Sequence, residues 1–577
     1  MSLLSNIAVY AAYPALVWSS VVYLVQSIGI FQVFRGYSRP PRKPVSPSLS
    51  EHLLPHITII RPVKGLEPQL YECLASTFRQ TYPRSKLTVS LCVSSEDDPA
   101  YPVLEKIVDD FGSRSNGVGY DVRLLVEEYD PLISGLDGNE LGPNPKIRNI
   151  SRAYREAPAD SLIWIMDCNV WISRDVAGRM VDKLMGFLPG GRTTTPYKLV
   201  HQLPLVVDIP PSDENSNNNK PAPGDQEQAG LLHKAWNQGG GRLDEMFMAT
   251  THAKFYSAIN TVGVAPCVIG KSNMFRKAHL DTYTQPSHNP LLSPGDAARG
   301  TGVDFFSSYI CEDHLISDLL WNAPIPPDTT TTETTSPPRP FGKHALVPGD
   351  LAIQPVWRVP VPAYWARRVR WLRVRKWTVL LATLVEPGVE SLLCNLYFAY
   401  AATTLPFFNN TFGIPQTWGA TAALWAGGVT AWMACDRAVH ARLHSCACVD
   451  PADGGAPFFA RGTAATSRGF SEWLPAWLGR ELLALPIWTW AVLLGTTVTW
   501  RGKSFRVRSD MSVVALDGVK EKSDSGKAAA KGSPVDDKGW EAKQDDRAGR
   551  PGQHQDVPRW EGRPTATHRK SRSYVQE

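Results

Sequence analysis

The sequence predicts a membrane-attached α/β domain, and three observations predict it. From Ala8 to Phe34 the chain carries no charged residue, and about 20 apolar residues suffice to cross a bilayer. Between about residues 56 and 210, short β-rich runs alternate with stretches of helical pattern, which implies a mostly parallel sheet with ligands at the carboxyl ends of its strands. After Pro387 the composition turns apolar again, with Trp and Tyr near the ends of the apolar stretches.

The length of 577 residues exceeds what one core of about 250–300 residues usually holds, so more than one module is expected. The net charge is only +5 and no long Lys/Arg run interrupts the middle of the chain, so nucleic acid is not an expected partner. The nine cysteines are scattered, and Cys446-Ala447-Cys448 is too close for C-x-x-C chemistry. A reduced, cytosol-facing body follows.

Taken in order, residues 8–34 form a membrane span. Arg35, Arg39, Arg42 and Lys43 follow at once, which places the next segment in the cytosol and residues 1–7 in the lumen. The span is too long, and too poor in preceding basic residues, for a cleaved signal peptide. A cytosolic α/β domain then occupies 50–386. Its strands are read in HITIIRPV (56–63), LTVSLCVSS (87–95), VRLLVEE (122–128) and SLIWIMDCNV (161–170), and its helices in 68–80 and 146–157. Loop insertions are expected at about 212–243, 287–302 and 324–342, where Pro, Gly, Ser, Thr and Asn concentrate. Residues 363–380 read as an Arg/Trp helix lying at the membrane interface.

The membrane region, 387–508, offers candidate spans at 391–408, 416–435 and 482–500. A full crossing by the last would put Arg501, Lys503, Arg506 and Arg508 in the lumen, against the charge rule. Either 482–500 is re-entrant or interfacial, or the rule fails there. From 509 to 577 the polar, Lys/Asp/Gly-rich composition predicts disorder.

Several residues carry possible chemistry. Asp98 follows a strand in S-S-E-D-D-P-A; a carboxylate there can bind a nucleoside, but taken alone an Asp-Pro turn is the better explanation. Asp167 and Asn169 end an apolar strand at alternate positions, so both oxygens can meet a cation carrying phosphates, although a helix cap is the competing reading. Lys146, after Asn144-Pro145, begins a helical run from which an ammonium can reach a phosphate. His201 and the segment 267–276 show no generic catalytic signature. In Y-I-C-E-D-H (309–314), Glu312 and Asp313 stand together in an apolar stretch, where acidic residues also suit a helix start. Arg367, Arg370 and Arg373 are three apart with Trp371 and Trp377 interleaved. They suit headgroups or, as guanidinium forks, a diphosphate.

Together, IIRPVKG (59–65), the D-D-P loop, N-P-K, W-I-M-D, H-Q-L-P, G-K-S-N-M-F-R-K, C-E-D-H and R-R-V-R-W occur in an order that closely resembles the ceramide glucosyltransferases. The resemblance runs from the first span to about Arg508, apart from the insertions, which look like elaborations of fungal members. It implies a GT-A nucleotide-diphospho-sugar transferase domain. It further implies that Asp98, Lys146 and Asp167 serve the nucleotide and metal site, that Asp313 is the catalytic base, and that Arg367, Arg370 and Trp371 form the (Q/R)-x-x-R-W signature near the pyrophosphate. His201 matches a histidine associated with activity and inhibitor binding. The usual D-x-D is here Asp167-Cys168-Asn169, which leaves one strong carboxylate for Mg2+ or Mn2+. The implied reaction moves glucose from UDP-glucose to the primary hydroxyl of ceramide in the bilayer, in the Golgi or endoplasmic reticulum. Another sugar or lipid acceptor is the nearest alternative, and a processive polysaccharide synthase a further one.

Overall fold

The computed structural model describes residues 3–112, 119–134, 141–209, 230–328, 338–461 and 468–516. Its centre is a seven-stranded sheet of order β3-β2-β1-β4-β6-β5-β7. The strands are β1 (Ile57–Pro62), β2 (Leu87–Val93), β3 (Asp121–Val126), β4 (Leu162–Met166), β5 (Tyr197–Asp208), β6 (Ser272–Arg276) and β7 (Gly342–Val356). The first four are parallel neighbours, β6 runs antiparallel between β4 and β5, and β5 pairs in parallel with β7. β1, β2 and β4 are buried along their whole length, as continuous Ile, Val and Leu runs require in a sheet covered on both faces.

The parallel order β3-β2-β1-β4 brings the loops after β1, β2 and β4 to one edge. There the register Met166 to Ser272 sets Lys271, just before β6, across from Asp167, just after β4. The Asp167 N–H donates to the Lys271 carbonyl at 3.1 Å. One side of the site is thus fixed by backbone pairing.

The amino-terminal helix, Leu3–Tyr37, is long and apolar enough to cross a membrane, and it alone among the described residues passes as a single straight helix. It packs on the helices Ala253–Val262, Ser391–Thr404 and Trp418–His444. Trp18 donates to the Gly388 carbonyl at 3.0 Å and Tyr23 to Asn395 Oδ1 at 2.7 Å. Tyr10, Val17, Leu24, Phe31, Leu381, Phe407, Trp418, Leu482 and Leu494 nevertheless stand exposed. Apolar exposure spread over neighbouring helices marks a surface for a protein partner or a membrane.

The other candidate spans differ from the sequence reading. The stretch 391–408 is broken by Pro406 into helices Ser391–Thr404 and Pro406–Phe412, bent by 74°. Residues 416–435 fall within the longer helix Trp418–His444. The stretch 482–500 is not a single helix. Its helix, Phe470–Val492, ends early, and β8 (Thr497–Trp500), β9 (Lys503–Val507) and β10 (Val513–Ala515) form a small antiparallel sheet. Before this helix, Arg468 donates to the Asp208 carbonyl at 2.8 Å; after it, Val513 N–H donates to the Ser308 carbonyl at 2.8 Å. Both ends are held by the catalytic domain, which sets the turn and strands carrying Arg501, Lys503, Arg506 and Arg508 beside it.

Two further expectations are corrected. Residues 231–243 are helical rather than loop, because Leu231–Gln238 and Gly240–Phe247 pack beneath the Arg/Trp helix. Residues 513–515 are a strand rather than tail. The expected disorder of 517–577, and the loops at 212–229 and 329–337, lie outside the described residues.

Candidate active site

The site assembles from the loops after β1, β2 and β4, the segment before β6, the turn between β8 and β9, and two helix starts. The helix Pro145–Arg155 is capped by Asn144, whose Oδ1 accepts from the Lys146 and Ile147 N–H groups at 2.8 and 3.1 Å. This cap aims the buried Lys146 side chain inward. Its Nζ lies 3.3 Å from Asp167 Oδ1 and 3.1 Å from Glu312 Oε1, and it donates to the Gly270 carbonyl at 3.4 Å. Lys271 Nζ takes the other Asp167 oxygen at 2.9 Å.

Burial alone would lower the Lys146 ammonium and raise the Asp167 carboxyl, yet each holds the other charged. Asp167, then Glu312 and Asp313, raise Lys146 above its ordinary value. Lys146 and Lys271 hold Asp167 well below the usual carboxylate range. Asp167 is therefore ionised throughout the physiological range.

Glu312 and Asp313 open the helix Glu312–Asn322, so the helix-start reading of this pair is realised. Their surroundings separate them. Glu312 is buried and takes Lys146 on one oxygen and Asn144 Nδ2, at 3.2 Å, on the other. Asp313 is only half-buried. Burial pushes its carboxyl upward, against the pull of Lys146 and of backbone hydrogen bonds from His314 and Gly270. A reachable carboxyl of raised pKa is suited to take a proton. Gly270 keeps the space open: a Cβ there would sit 3.0 Å from Asp313 Oδ2 and 3.1 Å from Lys146 Nζ.

Arg61, fully buried on β1, donates to the carbonyls of Cys168 and Val170, each at 2.9 Å, and so clamps the loop that carries Asp167. Asn169 turns its amide to Glu67 Oε2 at 3.2 Å. Asp98 is committed locally: it accepts from the Gly65 N–H at 2.9 and 3.1 Å and from the Ala100 N–H at 2.9 Å, which joins the β1 and β2 loops. Beside it, Lys64 donates to the Arg501 carbonyl at 2.5 Å. The Arg501 charge is felt by Asp167. The turn between β8 and β9 thus closes over the site.

The arginines of the helix Val361–Arg375 engage protein partners. Arg367 pairs with Asp244 at 2.5 Å and stacks on Trp371 at 4.7 Å; Arg370 stands over Trp500 at 5.7 Å. Arg373 caps the helix Phe470–Val492 through the carbonyls of Trp490 at 3.1 Å and Ala491 at 3.4 Å. The Arg367 charge reaches Glu67, and Arg370 reaches the strand leading to Arg501. The signature therefore borders the Asp167 site through protein partners, because desolvated guanidinium groups require them.

His201 does not join the cluster. It is fully buried on β5, where Tyr256 Oη meets Nδ1 at 2.6 Å and Asn260 Oδ1 meets Nε2 at 3.1 Å. Asn260 donates its own amide to two carbonyls, so Nε2 carries the proton and Nδ1 accepts from tyrosine. Burial depresses this imidazole to about 3. The ring path continues through Tyr256 to His252 at 5.0 Å, Phe247 at 5.8 Å and Trp371 at 6.4 Å. His201 thus supports, at a distance, the wall that holds the Arg/Trp helix.

Sequence reasoning did not assign Lys271, Glu67, Asn144, Arg61 or Arg501. Asn144 had a local signal, as the cap preceding Pro145, while Arg61 and Lys271 stood inside quoted motifs that gave them no role.

A sheet of this order, with a charged cluster at the carboxyl ends of its parallel strands, is a GT-A-like arrangement. The profile of glycosyl transferase family 21 matches residues 21–208 and 339–513, and the chain belongs to that family. It is similar to proteins named ceramide glucosyltransferase: 56% identical over 516 residues to that of Pyricularia oryzae, covering 89% of this chain and 96% of the relative. The Gibberella zeae protein is 45% identical, with 87% and 93% covered, and the Candida albicans protein 31%, with 88% and 98% covered. Among solved structures, the mannosyltransferase PcManGT from Pyrobaculum calidifontis, in complex with GDP-Man and Mn2+, is 13% identical with a TM-score of 0.33, covering 75% of this chain and 98% of its own.

Proposed function

We propose that this glycosyltransferase moves glucose from UDP-glucose to the primary hydroxyl of ceramide, with inversion to a β-glucoside. The observation that carries the mechanism is the division of labour within Glu312-Asp313: one carboxylate locked by Lys146 and Asn144, the other half-open. The names of the most similar relatives support the donor and acceptor.

The acceptor hydroxyl attacks the anomeric carbon as the bond from that carbon to the β-phosphate oxygen of UDP breaks. The hydroxyl proton passes to Asp313, a step typically worth ~10²–10⁴-fold. UDP leaves with the electron pair, and one displacement needs no covalent sugar–enzyme intermediate. Negative charge on the departing diphosphate faces Lys271 and Arg501, with Arg367 and Arg370 beyond them. The Asp167 carboxylate keeps 25% of its side chain exposed beside Asn169 and Glu67, and these oxygens would hold Mg2+ or Mn2+ shared with a diphosphate in place of the Lys146 and Lys271 ammoniums now at Asp167. When bound there, the cation would neutralise developing phosphate charge. Asp98 shapes the adjoining loops, and His201 sits behind the Tyr256 wall.

Ceramide is confined to lipid, so the acceptor must arrive from the bilayer. The apolar helix Asn6–Tyr37 and the exposed apolar helices hold the catalytic domain against it. In this reading the chain is a multi-pass Golgi or endoplasmic reticulum protein whose catalytic domain faces the cytosol. The test is incubation of membranes containing the protein with labelled UDP-glucose and ceramide, with and without Mg2+ or Mn2+. Labelled glucosylceramide is expected; transfer only from another nucleotide sugar, or only to another acceptor, would overturn the assignment.

A further inference from the structure

The helix Trp418–His444 carries His440 and His444 one turn apart, and both meet Glu245 of the helix Gly240–Phe247. Residues four apart share one helix face. All three side chains are buried, and one ligand atom from each lies within 4.8 Å of the others. The imidazole rings are 4.2 Å apart between centroids. His440 Nε2 is 3.3 Å from Glu245 Oε1, near the edge of about 3.4 Å that two ligand atoms span around a tetrahedral ion bound at ~2.1 Å.

Two features distinguish this cluster from an ordinary buried ion pair. His444 Nε2 is buried and has no hydrogen-bond partner, a condition that costs ~1–3 kcal/mol unless something satisfies it. Glu245 is also held as a ligating carboxylate is held: Oε2 accepts from the Asp208 N–H at 2.8 Å and Oε1 from Arg468 Nε at 3.2 Å. The guanidinium of Arg468 is not decisive against a cation, because Asp208 at 3.3 Å and Glu472 at 3.7 Å share its charge. Imidazole with one carboxylate suits zinc and its neighbours, whereas the all-oxygen set around Asp167 suits Mg2+ or Mn2+.

We propose that Glu245, His440 and His444 bind a divalent transition metal, zinc foremost, with water completing the coordination. The ion fastens the helix Trp418–His444 to the catalytic domain. Its role is structural and does not depend on which sugar or lipid the enzyme uses.

The experiment is elemental analysis of the full-length protein, purified in detergent with a tag free of histidine and without chelators. The wild type should carry about one zinc per chain, and Asp167→Asn should keep it. Glu245→Gln and His444→Gln should each lose it at least tenfold. If those variants fail to fold, Co2+ exchanged into the wild type still decides, through the visible ligand-field absorption of a low-symmetry nitrogen/oxygen site. Wild-type protein lacking stoichiometric transition metal after zinc-replete growth would overturn the proposal. So would zinc retained in folded His444→Gln, or lost in Asp167→Asn.

Discussion

Replacing Lys146 with Met removes the one cation shared by Asp167, Glu312 and Asp313 while roughly keeping side-chain volume. The ammonium stands 3.3 Å from Asp167 and 3.1 Å from Glu312. At an effective dielectric constant of about 20, each contact is worth about 5 kcal/mol of gross Coulomb attraction. Desolvation offsets much of this, and deleting one partner of a buried pair costs about 3–5 kcal/mol net. Part of that loss appears as destabilisation and part as protonation, because carboxylates without their cation take up protons at higher pH. If Asp313 is the base, wild-type activity should fall as pH drops through its raised pKa, since the base must be ionised. In Lys146→Met this acid limb should move up by at least about one pH unit, equivalent to about 1.4 kcal/mol. The assay is initial transfer rate against pH in detergent micelles, beside thermal unfolding at neutral pH. An unchanged acid limb with unchanged stability would refute the electrostatic account.

Gly270→Ala should lower kcat by about 10-fold or more with little change in melting temperature, because the added methyl displaces the ends of Asp313 and Lys146 rather than the core; wild-type kcat in the variant would contradict the packing. Arg501→Met should raise KM for UDP-glucose more than it lowers membrane association, which titration of UDP binding checks. Burial holds His201 and His279 neutral, with pKa values near 3. Each lies below its unfolded value of about 6.5, so the stability is complete above pH 6.5 and lost as pH falls towards 3, at up to about 1.4 kcal/mol per unit for each residue. Denaturant midpoints at pH 7, 6 and 5 measure it, and His201→Gln should flatten the slope.

The parallel half of the sheet was legible because its strands are apolar runs ending at turn residues, and Asp167 was legible as the polar end of such a run. Lys271 was not: it reaches Asp167 only through the antiparallel β4–β6 register, across about a hundred residues. Arg501 was hidden by composition, since TTVTW continues the apolar helix before it and its strand character shows only once β9 pairs with it. Arg367 and Arg370 were read either as headgroup ligands or as diphosphate forks. Asp244, the partner of Arg367, lies just past the stretch read as an insertion and 123 residues away, and Trp500 ends a stretch taken for a membrane span. Periodicity reports which face of a helix is polar, and not which remote segment will meet it.

The central claim is that Asp313 takes the proton of the acceptor hydroxyl. Its most direct test is Asp313→Asn, assayed for transfer of labelled glucose to ceramide alongside UDP binding by calorimetry. In this variant kcat should fall ~10²–10⁴-fold with UDP affinity nearly unchanged. Wild-type turnover in that variant would contradict it.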